Sequence, residues 1–404
     1  MTHSPLQGIR VIDFTHMRAG PQCTMMLGDM GAEIIKIESP RGDGTRLYGR
    51  DINGEALDFL SVNRNKKSVV LDLKSPEGRQ AAMDLISTAD VLVENFRIGV
   101  MERLGFGRER LAELFPRLIY CSITAYGQTG PYAGLPGYDQ IAQGMSGLMS
   151  LTGTKESGPL RVGLPIGDLL AGAFAAYGIV LALFERQHSG RGQFVHTSLL
   201  RALVSLLSFQ AARYLMTGEV PDVVGNHHPI VVPNGTFATS DGLINIGCST
   251  QEQWESLCKA IEAPELVTDE RYRDNRSRAA NLEALIGDLE ERLKQRTREE
   301  WMRVLTAADV PCGPIYRIDE VFKDPHVQAE QLAVSPDRDH PRVGKVPMPG
   351  FPVILERTPP RAVLPPPMLG EHTGEVLRST AQQLQKHLGG SDNGQGQKES
   401  SITP

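Results

Sequence analysis

A chain of 404 residues with 40% hydrophobic and 22% charged residues has the composition of a soluble globular protein with room for two ordinary domains, which excludes a disordered or fibrous chain. Its formal charge of −6 leaves no electrostatic footprint for nucleic acid or an anionic membrane, so any polyanionic ligand must be held in a local pocket. The five cysteines, Cys23, Cys121, Cys248, Cys258 and Cys312, are scattered without a C-x-x-C pair, which argues against a disulfide framework and against zinc. The N-terminus lacks the basic and apolar regions of a signal peptide, and the longest apolar run is short and interrupted by glycine, so the expected location is cytoplasmic.

Residues 9–14 form a short apolar strand pattern, Ala19, Gly20 and Pro21 open an amphipathic helix to about Gly31, and residues 32–38 follow as a second strand. The pattern repeats with a strand over 68–73, a helix over 76–88, a strand over 91–93 and another over 118–122. This alternation predicts an α/β fold with an open parallel sheet and ligands at the carboxyl ends of its strands. A dinucleotide-binding domain is excluded by the first turn, where residues 15–21 hold one glycine and no G-x-G-x-x-G. Asn63, Arg64, Asn65, Lys66 and Lys67 stand before a strand, Lys74 after it, Glu94, Asn95 and Phe96 after the next, and Arg103 a turn further on. Singly these are surface residues; together they are a candidate basic pocket. A Gly/Pro loop over 124–131 follows a strand, a common place for ligand contacts, with Gly137, Tyr138 and Asp139 shortly after.

Residues 169–184 carry no charge and read as a helix buried on most faces, with Gly163, Pro165 and Gly167 forming a tight approach and Asp168 at the expected N-cap. Two roles stand open for Asp168. Asp is a preferred cap, accepting a backbone N–H. A carboxylate kept ionised at the positive end of a buried helix is also a nucleophile suited to an activated carbonyl. That helix ends near Gln187, a strand spans 193–197, and a long helix is expected over 199–216.

Prolines and glycines then mark a linker over 217–235. His227 and His228 within it have no third ligand nearby, so a loop contact is expected and no metal site. A smaller domain over 236–325 should contain a hairpin over 235–247 and an amphipathic helix through Leu282, Leu285, Ile286, Leu289 and Leu293, with a capping box at Thr297 and Glu300. The prolines of 341–367 predict an extended segment, and 386–404 reads as a disordered tail.

The order and spacing of residues 13–21, 31–38, 63–68, 93–96, 122–127, 167–168, 190–193, 311–314 and 369–373 resemble the class III CoA-transferase family, also called the formyl-CoA or carnitine-CoA transferase family. The resemblance covers the chain to about residue 380. It implies a large Rossmann-like parallel-sheet domain built from residues 1–216 and a C-terminal segment (326–385), a smaller α+β domain, and an interlocked dimer of identical or related subunits. Asp168 matches the family's nucleophile, which passes CoA between carboxylic acids through an acyl anhydride and an aspartyl-CoA thioester. The resemblance implies no permanently bound cofactor, because the coenzyme A thioester is the substrate. By position, Met17, Arg18 and Ala19 would line the thioester side. Leu71, Lys74, Asn95, Phe96, Arg103 and Thr124 would bind CoA, with Lys74 and Arg103 meeting its phosphates. Tyr126 and Tyr138 would face the acyl group. The formyl-CoA branch carries Gln at the position of Arg18 and a tetraglycine loop, neither of which stands here. Residues 61–68 and 120–131 look closer to the branch that moves CoA from succinyl-CoA to dicarboxylates, aliphatic or aryl-substituted such as benzylsuccinate. Arg18 would then meet the remote carboxylate, or else face CoA or solvent. Two alternatives accompany this reading: an α-methylacyl-CoA racemase, whose pattern places His at Tyr138, and a structural subunit of a heteromer.

Overall fold

Six short apolar runs become one parallel sheet: β1 (Arg10–Asp13), β2 (Glu33–Glu38), β3 (Lys66–Val70), β4 (Val91–Glu94), β5 (Ile119–Thr124) and β6 (Phe194–Ser198). The strand order is β6-β5-β4-β1-β2-β3, with every neighbouring pair parallel. The computed structural model describes residues 3–223 and 225–390. The described residues form two compact units, the first from 3–146, 162–208 and 331–390, the second from 147–161 and 209–330 without 224.

In the first unit, α1 (Ala19–Asp29) joins β1 to β2 and α2 (Pro76–Ser87) joins β3 to β4, the helical crossovers that parallel strands need. Ile12, Ile35, Val69 and Leu92 fill the core on the α2 side with Leu85 and Ile86. The third strand begins two residues before the expected Ser68 and takes in charged residues. Asn63, Arg64, Asn65 and Lys66, read from sequence as a candidate basic pocket, are buried. Each has a partner that makes burial tolerable. Arg64 donates two hydrogen bonds to Asp29, at 2.8 and 2.6 Å. Lys66 Nζ lies 3.2 Å from Asp13 Oδ2 and donates to the Pro21 carbonyl at 2.9 Å. A buried charge survives only when paired and hydrogen-bonded, and this run supplies scaffold pairs rather than an anion pocket.

The long apolar helix, α4 (Ile166–Ser189), follows α3 (Asp139–Met145) and packs on α1, on β5 and β6, and on α5 (Leu199–Ser205). A Cβ on Gly172 would lie 2.5 Å from the Ala19 carbonyl oxygen, so glycine lets α4 pass this close to the start of α1. The helix is not buried on most faces. Phe174, Tyr177, Val180, Leu181 and Phe184 are exposed, because an uncharged run does not reveal which face has a neighbour. Among the described residues it is the single helix that, unbroken, has the length and hydropathy to cross a membrane. The helix expected over 199–216 is broken after Ser205, where Ser208 adopts φ 46°, and resumes as Ser208–Thr217.

Residues 361–373 run along the free edge of β3. Asn65 N–H donates to the Leu364 carbonyl, His372 N–H to the Ser68 carbonyl and Val70 N–H to Thr373 Oγ1, each at 3.0 Å. The C-terminal helix, Thr373–Gly390, follows, so regular structure passes residue 386, and the remaining part of the expected tail lies outside the described residues.

The second unit centres on an antiparallel sheet of β7 (Asn234–Ala238), β8 (Leu243–Gly247) and β9 (Cys312–Pro314). The 235–247 hairpin forms as expected, and helix Leu282–Leu293 buries Leu285, Leu289 and Leu293 against Trp254 and Trp301. Thr297 and Glu300 make the reciprocal capping box.

Candidate active site

Strand order reverses between β1 and β4, which opens a crevice at their carboxyl ends. A cleft of about 380 Å³ lies there, and it is built from the loop after β1, the loop after β4, the loop after β5 and the start of α4.

The loop after β1 is set by buried charges. Asp13 Oδ1 accepts from the Thr15 N–H (2.8 Å) and hydroxyl (2.5 Å), and its Oδ2 accepts from Thr24 Oγ1 at 2.6 Å. Lys36 Nζ donates to the Thr15 carbonyl at 2.6 Å and pairs with Asp43 at 2.9 Å. Asp43 Oδ1 in turn accepts from the Met17 N–H at 3.2 Å, and Met17 is held at φ 65°. Burial pushes the Asp43 carboxyl up, but Lys36 and the backbone donors outweigh it and hold it well below the usual carboxylate range. Burial acts on Asp13 in the same sense and is overcome by Lys66 and Lys36.

The loop after β4 is locked to the first by one amide. Asn95 Oδ1 accepts from the His16 N–H at 2.9 Å, while Asn95 Nδ2 donates to the His16 carbonyl at 2.8 Å. Glu94, buried at the strand end, accepts from the Phe96 N–H at 2.8 Å, and burial raises its carboxyl to about 7. The His16 and Phe96 rings lie 5.1 Å apart, and burial keeps the imidazole below its ordinary pKa and hence neutral at pH 7.

Asp168 is not the N-cap of α4. The helix begins at Ile166, which places Asp168 in its first turn, and the capping acceptor is Asp139. Asp139 Oδ1 accepts from the Gly167 N–H at 2.7 Å and from the Asp168 N–H at 3.3 Å, and Gln143 Nε2 donates to its Oδ2 at 2.6 Å. A carboxylate from another helix thus satisfies the orphan donors and frees the Asp168 side chain to face the cleft. Burial chiefly, with the Asp139 charge beside it, raises the Asp168 carboxyl to about 7 against an opposing pull from Arg18. Arg18 pairs through Nη2 with Asp58 Oδ1, and both line the cleft.

Residues 6–373 match the family described as CoA-transferase family III. The chain belongs to that family. It is 38% identical to the succinyl-CoA:glutarate CoA-transferase of Homo sapiens over 95% of this chain and 88% of the other. It is 40% identical to the succinate–glutarate CoA-transferase of Agrobacterium fabrum over 92% and 95%. A CAIB/BAIF family protein from Brucella suis superposes with a TM-score of 0.85 at 36% identity, covering 94% of this chain and 100% of that one. The protein is therefore an enzyme, a class III CoA-transferase.

In this family III enzyme the cleft brings together Met17, Arg18, Ala19, Asn95, Phe96, Thr124, Tyr126, Tyr138 and Asp168 from four separate stretches of chain. Three of the residues expected at CoA stand outside it. Leu71 is buried in the core against α2, because its side of the strand end faces inward. Lys74 and Arg103 are exposed. His228 makes the loop contact expected of it, its Nδ1 accepting from the Ile230 and Val231 N–H groups. Sequence reasoning missed His16, Asp58, Arg97 and Asp139, all at the cleft or its supports. Asp139 adjoins Tyr138 in a stretch already singled out, but a cap supplied from outside the helix leaves no local sequence signal. Asp58 lies in a helix of four residues, Leu57–Leu60, too short to show a periodicity, and nothing in the chain marks it.

Proposed function

We propose that this enzyme moves CoA from succinyl-CoA to a dicarboxylate acceptor through covalent intermediates on Asp168. The observation that carries the reading is the Asp168 carboxyl, held free of capping duty in a cleft it shares with the Arg18 guanidinium. Likeness to relatives named for succinyl-CoA and glutarate supports the substrate class.

In the forward half, an Asp168 Oδ attacks the thioester carbonyl and the C–S bond breaks, giving an acyl-aspartyl anhydride and CoA thiolate. The thiolate attacks the aspartyl carbonyl and releases the first acid as its carboxylate, leaving aspartyl-CoA thioester. The acceptor carboxylate attacks that thioester, forming a second anhydride and freeing thiolate again. Attack of the thiolate on the acceptor's acyl carbon regenerates the Asp168 carboxylate. Each step exchanges one activated acyl group for another, so no ATP is needed.

The negative charge that develops on each tetrahedral oxygen needs fixed donors. Ala19 N–H, in the first turn of α1 beside the cleft, has no acceptor among the described residues and is suited to that work. Met17 and Arg18 would frame the thioester, Asn95, Phe96 and Thr124 the pantetheine arm, and Tyr126 and Tyr138 the acyl group. Lys74 and Arg103, on the surface, would meet the phosphates, and Leu71, buried in the core, would support the strand end from within. Arg18 would receive the carboxylate remote from the reacting one. The exposed apolar face of α4 supports a partner subunit, in the interlocked dimer that the family resemblance implies, working in the cytoplasm.

The test is to incubate the protein with succinyl-CoA and a panel of mono- and dicarboxylic acids, including glutarate and benzylsuccinate, and to follow CoA thioesters by mass spectrometry. A new dicarboxylyl-CoA is expected; none from any dicarboxylate overturns the reading. A second outcome concerns pH. Asp168 attacks only when ionised, so the rate should fall as pH drops through about 7. Asp139→Asn removes the neighbouring charge while its amide oxygen still caps α4, so the acid limb of the kcat/KM profile should move to lower pH. An unmoved limb would mean that another group titrates there.

A further inference from the structure

Asp58 is the carboxylate paired with Arg18. It sits in the first turn of the short helix Leu57–Leu60 and lines the same cleft as Asp168. Its Oδ1 meets Arg18 Nη2, while Arg18 Nε and Nη1 and Asp58 Oδ2 have no partner among the described residues. The pair is half open to water, with side chains 23% and 41% exposed, whereas the Arg64–Asp29 scaffold pair is 3% exposed on both sides and closed by two bonds. A single-point, wet ion pair is held weakly and exchanges easily. A guanidinium with spare donors favours a carboxylate that can bind it through two parallel bonds.

Resting on the reading that Arg18 receives the distal carboxylate, we propose that Asp58 is a built-in competitor for Arg18, which it yields when a dicarboxylate or its CoA thioester enters. Asp58 holds the guanidinium toward the cleft when the acyl pocket is empty. A ligand with a distal carboxylate displaces it and sends Asp58 to solvent; a monocarboxylate cannot. Asp58 is thus a specificity-determining residue that acts through Arg18, setting how strongly a second carboxylate is rewarded.

The experiment compares wild type with Asp58→Asn, Asp58→Ser and Asp58→Glu, using glutarate against butyrate as acceptors and succinyl-CoA against butyryl-CoA as donors. Without the competing charge, KM for glutarate and for succinyl-CoA should fall by about two- to fivefold, with kcat little changed and both butyryl substrates unaffected. Asp58→Glu keeps the charge and should stay near wild type. If wild type transfers CoA to glutarate but the Asn and Ser variants show unchanged or raised KM, or do not fold, Asp58 is only an anchor and the inference fails alone. If wild type transfers CoA to no dicarboxylate, the functional reading fails and takes this inference with it.

Discussion

Asp168→Asn should abolish CoA transfer, by roughly 10⁴-fold or more, because an amide in place of the attacking carboxylate cannot form the anhydride, and the other cleft carboxylate, Asp58, is paired with Arg18. The variant keeps the side-chain volume and loses only the ionisable oxygen, so the same substitution should leave the fold intact and, at alkaline pH, strengthen it. The carboxyl titrates at about 7 in the folded chain, above the usual value near 3.8. A native state that binds a proton more tightly than the unfolded chain loses stability as pH rises between those two values. Wild type at pH 8 therefore carries the full cost of an ionised, half-buried Asp168, and the asparagine variant does not. Thermal unfolding should place the variant about 1–3 kcal/mol above wild type at pH 8 and level with it near pH 4. Equal stabilities at both values would show that the carboxylate is already solvated in the resting enzyme.

The second large effect lies beneath the cleft. Asp13→Asn removes the charge that compensates Lys66, whose ammonium burial has already brought down to about 8. Breaking one side of a buried pair costs about 3–5 kcal/mol, because the partner is left charged and dry. Urea unfolding should report a loss of that size. The double variant Asp13→Asn with Lys66→Met should recover part of it, since no uncompensated charge remains. Asp13 also orders the backbone at Thr15, two residues before the left-handed Met17, so the single variant should raise KM for the acyl-CoA as well. A variant as stable as wild type would mean that water reaches Lys66.

Much of the sheet was legible because its strands are apolar runs between helical periods, and the spacing of the motif blocks pointed to Asp168 and the loops beside it. What escaped the sequence has a common physical origin in pairing at a distance. Charged residues from Asn63 to Lys66 read as surface unless Asp29 and Asp13 are known to meet them inside. The cap of α4 comes from Asp139, 28 residues earlier. Arg18 and Asp58 are 40 residues apart with no pattern joining them. The break before Ser208 leaves no mark in the sequence, since residues 199–216 hold neither the glycine nor the proline that would announce it.

The segment along β3 has a consequence for how the chain is made. Asn65 Oδ1 accepts from the Leu364 N–H across 299 residues. At about 5–20 residues per second, the ribosome needs roughly 15–60 s to deliver that partner after Asn65 has emerged. Until then β3 offers unpaired backbone groups to any other strand in reach. The nascent first unit thus spends most of its synthesis with a sticky margin, which closes only when residues 361–373 dock late.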